Sequence, residues 1–315
     1  MSVKVIRTFP DMNDFSYNYR AWNRQFVEQN IILNGKFSYL YYPEHWTTLS
    51  LKFAFGGIEQ YIMGDMKYSV EGSHYLILNR DTFYKSLISS PEPVESLTLN
   101  FTSEFAEDVF YSSFNNDQYL LDYPEVRDRH PVNFFQKLYS TDAVLSALVA
   151  RLKETIKESV PDNSAALELL HLILEHTFRT QLAESKLADS VASQKRSTRI
   201  ELYNRLSRAR DYIRSNFSEP VNINKLAAIA CMCPHHFLRK FKSTFGISPH
   251  KFLTITRLEN AVKQLSETRL SVTEICLNCG YESLSSFGEL FRKKYGFSPE
   301  LYRKNHRKKV NFQII

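Results

Sequence analysis

The cysteines are the residues whose spacing first suggests chemistry. All four lie in the last third of the chain, as CMC at Cys231 and Cys233 and as CLNC at Cys276 and Cys279. Closely spaced cysteine pairs bind zinc or take part in thiol redox reactions. Which reading applies depends on the elements that carry the two pairs.

Those elements form a pattern that the chain contains twice. FKSTFGISPHKF occupies positions 241–252 and FRKKYGFSPELY occupies 291–302, with aromatic, basic, Gly and Ser-Pro positions in the same order. Four residues of the first copy recur 50 positions later: Phe237, Phe241, Gly246 and Pro249 match Phe287, Phe291, Gly296 and Pro299. Three residues upstream recur at an offset of 49: Leu226, Ala227 and Ala230 match Ile275, Cys276 and Cys279. The shift of one residue between the offsets falls in a turn, where length changes cost least.

Each copy predicts a helix-turn-helix unit, at about 222–245 and about 271–295. Asn222 and Ser248 are expected N-caps, and Ser271 with Glu274 has the spacing of a capping box. Small residues are needed where the two helices of such a unit cross, and a free Cys is a good small apolar filler. Because the two cysteine pairs fall in different units, core packing is favoured over a single Cys₄ zinc site.

The repeated region resembles the DNA-binding domain of the AraC/XylS family of bacterial transcription regulators, over roughly 205–305. The resemblance rests on LAAIA (226–230), FLRKFKSTFGISPHKF (237–252), RLENA (257–261), SVTEI (271–275), GYESLSSF (280–287) and FRKKYGFSP (291–299). It implies a sequence-specific regulator of double-stranded DNA, with two helix-turn-helix units joined by a linker helix. Such a regulator is commonly an activator, which would also contact RNA polymerase.

The second helix of each unit should enter the major groove and turn its outward residues to base edges. The resemblance places base contacts of the first unit at His235, Leu238 and Arg239, and His236 and Lys242 are expected beside them. The outward residues of the second unit are Leu284, Ser285, Gly288 and Glu289. The family commonly has a basic residue where Glu289 stands, so the second unit is expected to contribute less specificity.

Basic residues around both units are candidates for phosphate contacts, with a solvated surface charge as the alternative for each. They are Lys240, Arg292, Lys293, Lys294, Arg303 and Lys304. Two non-identical units on one rigid helix predict an asymmetric pair of half-sites about one helical turn apart, near 34 Å.

Charge is distributed unevenly along the chain. From Lys195 to the end there are 23 Lys and Arg against 9 Asp and Glu, whereas residues 1–194 have 17 against 25. A basic C-terminal part suggests a polyanion partner for that part alone, although a solvated surface is the simpler alternative. No long apolar run and no apolar signal core at the start are present, so a cytoplasmic protein without a membrane span is expected.

The N-terminal part predicts a different architecture. Hairpin signals at 48–101 indicate an antiparallel β structure, and helical periodicity follows from about 133. The expected fold is α+β, with a cupin-like antiparallel barrel at about 30–105, helices at about 133–184 and an all-α C-terminal domain. The predicted boundaries are 1–184 for an effector-binding and dimerisation domain, 185–198 for a linker and 199–315 for the DNA-binding domain.

Regulators of this family often bind a small effector in the barrel. Trp46, Tyr61, Tyr68 and Tyr84 could line a pocket there, although aromatic residues in a barrel are more often core. The clustered His and Glu ligands of enzymatic cupins are absent, so no metal, cofactor or catalytic residue is predicted and the chain is not expected to be an enzyme. Helices at 142–184 could form a homodimer. The alternative function is an effector-independent or architectural DNA-binding protein whose N-terminal domain serves only dimerisation or a protein partner.

Overall fold

The computed structural model of the chain describes residues 2–9, 19–114, 132–157, 162–189 and 195–312. Two units divide the chain, Met1–Ser190 and Val191–Ile315, and they are called here the N-terminal and C-terminal units. Within the described residues every strand lies in the N-terminal unit, and the C-terminal unit is helical. The predicted α+β class is therefore confirmed.

The N-terminal unit contains eight strands in its described part. They are β1 Val3–Ile6, β2 Asn30–Thr47, β3 Leu49–Phe55, β4 Glu59–Met63, β5 Met66–Val70, β6 His74–Leu78, β7 Thr82–Phe101 and β8 Leu138–Ser140. The sequence pattern located the hairpins from β3 onward. Gly64, with φ of 55°, lies in the turn between β4 and β5. Strand β1 precedes the predicted barrel at about 30–105, whereas β2 lies within it but before the hairpin signals at 48–101.

Two long strands organise the sheet. The first half of β2 pairs with the last half of β7, which also pairs with β3, whereas the second half of β2 pairs with the start of β7. Register shifts between Phe37 and Tyr39 and between Tyr42 and His45 mark where these strands bend. Strand β4 pairs antiparallel with the start of β7 on one side and with β5 on the other. Lys52 of β3 reaches Tyr84 at the start of β7, so the two halves face each other as layers.

The closed barrel in the prediction is wrong for the described strands. Their order is β1-β2-β7-β3-β6-β8, with β4 and β5 as a branch from β7, and this path does not return on itself. The end strands β1 and β8, of four and three residues, pair with β2 and β6 and not with each other, so the described sheet does not close. The result is an open sheet folded over into two layers rather than a ring.

Four described helices complete the N-terminal unit: α1 Tyr19–Glu28, α2 Ser103–Phe114, α3 Ala143–Thr155 and α4 Asn163–Asp189. Asp142 caps α3 by accepting a hydrogen bond from the amide of Leu145. Helix α2 is capped by Thr102, whose hydroxyl accepts a hydrogen bond from the amide of Phe105. The apolar stripe of α4 is mainly core, since Leu170 and Leu174 are fully buried, but Leu182 is 48% exposed.

The C-terminal unit consists of seven described helices. They are α5 Arg196–Ser215, α6 Ile223–Ile229, α7 Pro234–Phe245, α8 Pro249–Glu267, α9 Val272–Asn278, α10 Leu284–Tyr295 and α11 Pro299–Phe312. Asn222 and Ser248 are N-caps, and Ser271 with Glu274 forms the predicted capping box. Gly246 ends α7 in a left-handed conformation, with φ of 75°. Helices α4 and α5 occupy both ends of the predicted linker at 185–198, and residues 190–194 between them lie outside the described part of the chain.

Two separate apolar clusters form the interior of the C-terminal unit. The first core is built from Leu206, Ala209, Ile213, Leu226, Ala227, Ala230, Phe237, Phe241 and Leu253. The second core is built from Leu258, Ala261, Leu265, Ile275, Cys276, Cys279, Tyr281, Phe287 and Phe291. The repeated positions of the sequence thus occupy equivalent places in two cores, and α8 contributes to both.

Among the described residues no helix is long and apolar enough to cross a membrane.

Candidate nucleic-acid interface and effector cavity

The two helix-turn-helix units have matching turns. After α6 the amide of Met232 donates to the carbonyl of Ala227 at 2.9 Å, and after α9 the amide of Tyr281 donates to the carbonyl of Cys276 at 3.0 Å. Each turn has one residue in the left-handed region, Cys231 with φ of 52° and Gly280 with φ of 77°. This αL closure is how a helix commonly satisfies its last carbonyl groups before the chain changes direction.

Helix α7 turns one face to its core and the other to solvent. Phe237 and Phe241 are fully buried in the first core. The sequence-predicted base contacts His235, Leu238, Arg239 and Lys242 are exposed, and His236 beside them is partly buried. The outward face of α7 therefore offers one aliphatic, one imidazole and two cationic side chains, while contact with bases stays a prediction.

Helix α10 has the same division of faces with different chemistry. Phe287 and Phe291 are buried in the second core, and Leu284, Ser285 and Glu289 are exposed. Gly288 is partly buried, and a Cβ built there would meet no atom within 4 Å. The outward face of α10 carries a carboxylate where α7 carries Arg239, so the two faces differ in charge.

The predicted phosphate contacts do not share one environment. Arg292, Lys293 and Lys304 are exposed and Lys240 is partly buried. Lys294 donates to Glu259 at 3.1 Å, which neutralises part of its charge. Arg303 is only 8% exposed and donates from a terminal nitrogen to the carbonyl of Leu270 at 2.6 Å. The guanidinium of Arg303 thus ties α11 to the loop before α9, and its contact with phosphate stays a prediction.

The cysteines occupy two environments, and neither resembles a zinc site. Cys276 and Cys279 are buried in the second core, whereas Cys231 and Cys233 are exposed beside the first. Burial raises the pKa of Cys279 to about 12, which disfavours the thiolate that zinc or redox chemistry requires. Within the described residues no three His, Cys, Asp or Glu side chains are grouped to hold a metal.

A cavity of about 40 Å³ lies between the two layers of the N-terminal unit. Three of the four predicted effector residues, Trp46, Tyr61 and Tyr84, line it. Tyr68 is buried but is absent from that lining among the described residues. The rest of the wall combines aromatic rings and one leucine with hydroxyl, amide and carboxyl groups: Phe9, Trp22, Asn23, Phe26, Leu33, Tyr42, His45, Thr47, Thr48, Glu59, Ser86, Ser96, Thr98 and Asn100.

Two ionisable side chains, Lys52 and Glu59, are buried close together at this site, and the sequence pattern did not indicate them. Lys52 and Glu59 are 1% and 2% exposed. The ammonium of Lys52 donates to the hydroxyl of Tyr84 at 2.7 Å and lies 4.6 Å from the centroid of that ring. Oε2 of Glu59 and the hydroxyl of Tyr61 have no hydrogen-bond partner of standard geometry among the described residues. Both residues line the cavity, and the hydroxyl groups of Ser96 and Tyr61 still lie close enough to Glu59 to affect its pKa.

Burial sets the protonation of these side chains. Burial lowers the pKa of Lys52 to about 7, and the nearby Glu59 opposes that shift. Burial raises the pKa of Glu59, against the effect of the hydroxyl groups of Ser96 and Tyr61 and of Lys52. Burial also lowers the pKa of His45 to about 4, so that ring is neutral at physiological pH. The cavity wall is therefore rich in hydrogen-bonding groups, and the imidazole among them is uncharged.

Comparison with known proteins matches residues 226–305 to a family described as a helix-turn-helix domain. The probable transcriptional regulator LumQ of Photobacterium leiognathi is 26% identical over 198 residues, covering 62% of this chain and 75% of LumQ. The transcriptional regulator MtrA of Neisseria gonorrhoeae is 41% identical over 83 residues, which cover 26% of this chain and only 28% of MtrA. The DNA-binding domain of AdpA, solved with a target DNA, is 30% identical, with 33% of this chain and 95% of that domain covered and a TM-score of 0.32.

Proposed function

Since this chain belongs to the AraC/XylS family of transcription regulators, we propose that it is a DNA-binding activator whose N-terminal unit responds to a small-molecule effector. The proposal of DNA binding rests on one observation. Two equivalent helices, α7 and α10, bury their paired Phe residues and leave a polar face to solvent. Helices of this kind read base edges in the major groove.

The proposed target is double-stranded DNA with two unlike half-sites about one helical turn apart, because α7 and α10 offer different outward side chains. The protein would act in the cytoplasm, contact RNA polymerase as an activator and form a homodimer through its N-terminal unit. The alternative is an architectural protein without an effector. Similar affinity for random and for selected DNA at physiological salt would favour that alternative.

Arg239 is expected to carry the strongest single base preference, since an exposed guanidinium can donate two hydrogen bonds to a guanine. Replacing Arg239 with alanine should cost about 1–3 kcal/mol at the selected site and relax the preference at one base position. The measurement is selection of binding sites from random DNA, followed by titration of the preferred site and its single-base variants.

Arg292→Ala is the matched comparison, because Arg292 is an exposed arginine of α10 proposed to contact phosphate. It should weaken all sites about equally and flatten the dependence on salt by about one unit of log–log slope. If Arg239→Ala produces this same uniform loss, the base contact assigned to Arg239 is wrong.

The effector site is proposed at the cavity of the N-terminal unit. Its support is chemical: Glu59 and Tyr61 are almost fully buried and line the cavity, and Oε2 of Glu59 and the hydroxyl of Tyr61 lack a hydrogen bond of standard geometry among the described residues. A buried polar group without a good hydrogen bond is costly. A ligand that donates hydrogen bonds would satisfy Glu59. The cavity of about 40 Å³ is far smaller than the roughly 300–1,000 Å³ of usual ligand pockets. Effector entry therefore requires side chains of the wall to move, and such a movement couples binding to conformation.

Tyr61→Phe is expected to weaken effector binding about tenfold, because it removes one unpaired hydroxyl from the cavity and keeps the ring. A thermal-shift screen of the full chain against sugars, aromatic acids, fatty acids and other metabolites supplies the ligand. Tryptophan fluorescence suits this screen, since the chain's two tryptophans, Trp22 and Trp46, both line the cavity.

Tyr68→Phe serves as the control, because Tyr68 is buried in the same unit but does not line the cavity. It should leave ligand affinity unchanged. Equal affinities of wild type and Tyr61→Phe would remove the cavity as the site, and a screen without any stabilising ligand would favour the effector-independent alternative.

A further inference from the structure

The two recognition helices belong to cores that are packed separately. Leu253 of α8 lies in the first core, and Leu258, Ala261 and Leu265 lie in the second. Helix α8, with 19 residues, is the element that contributes to both. No common core therefore sets the angle between α7 and α10, and a single shared helix leaves room for bending between its two halves.

A second connection, beside α8, joins the two helix-turn-helix units. The backbone that follows α5 approaches the turn between α9 and α10 at Gly280. A Cβ built on Gly280 would lie 2.5 Å from the carbonyl oxygen of Ser218 and 2.9 Å from a terminal nitrogen of Arg257. Gly280 thus permits a backbone-to-backbone contact that any other residue would push apart, in addition to supplying the left-handed turn.

This contact of Gly280 with Ser218 is called here the seam between the two helix-turn-helix units, and Arg257 of α8 hydrogen-bonds beside it. Its Nε donates to the carbonyl of Phe217 at 2.8 Å, and a terminal nitrogen donates to the carbonyl of Glu219 at 3.1 Å. On the other side its guanidinium carbon lies 5.4 Å from the ring centroid of Tyr281. A planar guanidinium can serve both partners at once, which a lysine ammonium cannot.

The two partners of Arg257 pack in different cores. Phe217 packs against the first core. Tyr281 belongs to the second core, and its ring centroid is 5.2 Å from that of Phe287 in α10. The contact chain from Phe217 through Arg257 to Tyr281 and Phe287 therefore links the core under α7 directly to the helix α10.

We propose that Arg257 and Gly280 are positioning residues that fix the angle between the two recognition helices and so select one spacing between half-sites. The inference rests on the DNA-binding function of the C-terminal unit. Inserting one base pair moves a half-site by about 3.4 Å and rotates it by about 35° around the duplex. With the seam intact, α7 and α10 cannot follow that rotation. If the seam is broken and α8 bends, they can.

The test compares full-length wild type with Arg257→Lys and Gly280→Ala on a set of DNA duplexes. The site selected from random DNA is lengthened or shortened by one base pair between its half-sites, and binding is titrated at fixed salt. Wild type should lose about tenfold or more in affinity on either change, as for a mismatched site. Both variants should lose less than about threefold between the same duplexes.

Gly246→Ala is the matched control. Gly246 has φ of 75° against 77° for Gly280, but a Cβ at Gly246 would meet no atom within 4 Å. This control carries the same backbone strain without disturbing the seam, so it should keep the wild-type spacing dependence. Far-UV circular dichroism at the assay temperature verifies that each variant is folded.

The outcomes separate the inference from the function on which it rests. Wild-type spacing dependence in both folded variants would overturn the positioning role, and so would a wild type that binds its site specifically at every spacing. A uniform loss of affinity at all spacings would also overturn it, since it would indicate a merely structural role. Absence of any specific site for wild type would contradict the DNA-binding function itself.

Discussion

Phe237→Ala is expected to destabilise the C-terminal unit by about 3–5 kcal/mol, the usual cost of emptying a buried phenylalanine position. Phe237 is 0% exposed, and its ring centroid lies 5.5 Å from that of Phe241 in the same core. Because domains are stable by only about 5–15 kcal/mol, this loss consumes much of the unit's stability. Sequence-specific DNA binding should fail with it, since α7 is held in place by this side chain.

Two spectroscopic probes separate the units in this experiment. Trp22 and Trp46 are the chain's tryptophans and both lie in the N-terminal unit, so their fluorescence reports that unit alone. In urea, the circular dichroism signal of Phe237→Ala should show an early loss of helix while the fluorescence transition stays where it is in wild type.

The neighbouring residue supplies the control for Phe237. Leu238 is 37% exposed, so Leu238→Ala should change the free energy of unfolding by less than about 1 kcal/mol. Coincident circular dichroism transitions for Phe237→Ala and wild type would contradict the packing of the first core.

The C-terminal unit was predictable because its signals are local. Ser248 before Pro249, the box of Ser271 with Glu274, and Gly246 all act within one helical turn of their own positions. The apolar stripes repeat at helical spacing, so the inward faces of α7 and α10 follow from the sequence alone. The hydrogen bond of Arg303 did not follow, because the carbonyl that accepts it, at Leu270, lies 33 positions away in the chain.

The N-terminal unit was harder to predict because its contacts are long-range. Strand β2 pairs with β7 across the unit, and no local pattern encodes that register or where the two strands bend. Leu51 and Phe53 lie on one face of β3, and the alternation of a half-buried strand would turn Lys52 between them to solvent. In the fold, β3 is buried on both faces, because the sheet doubles over and its second layer covers Lys52.

The burial of Lys52 predicts that the free energy of unfolding depends on pH. Folding lowers the pKa of Lys52 from its ordinary 10.5 to about 7, because burial disfavours the ammonium. Between these two values the unfolded chain binds a proton that the folded chain does not, so stability rises with pH across this window. The free energy of unfolding of the N-terminal unit should increase by about 2 kcal/mol from pH 7 to pH 9.

The measurement is urea unfolding of the full chain at pH 7, 8 and 9, followed by tryptophan fluorescence. Lys52→Met replaces the titrating group with an apolar side chain of similar length, so this variant should lose the rise. Lys67→Met is the control, because Lys67 lies on β5 of the same unit and is partly exposed; it should keep the rise. A wild type whose stability is flat from pH 7 to 9, or a Lys52→Met variant that retains the slope, would contradict the release of a proton from Lys52 on folding.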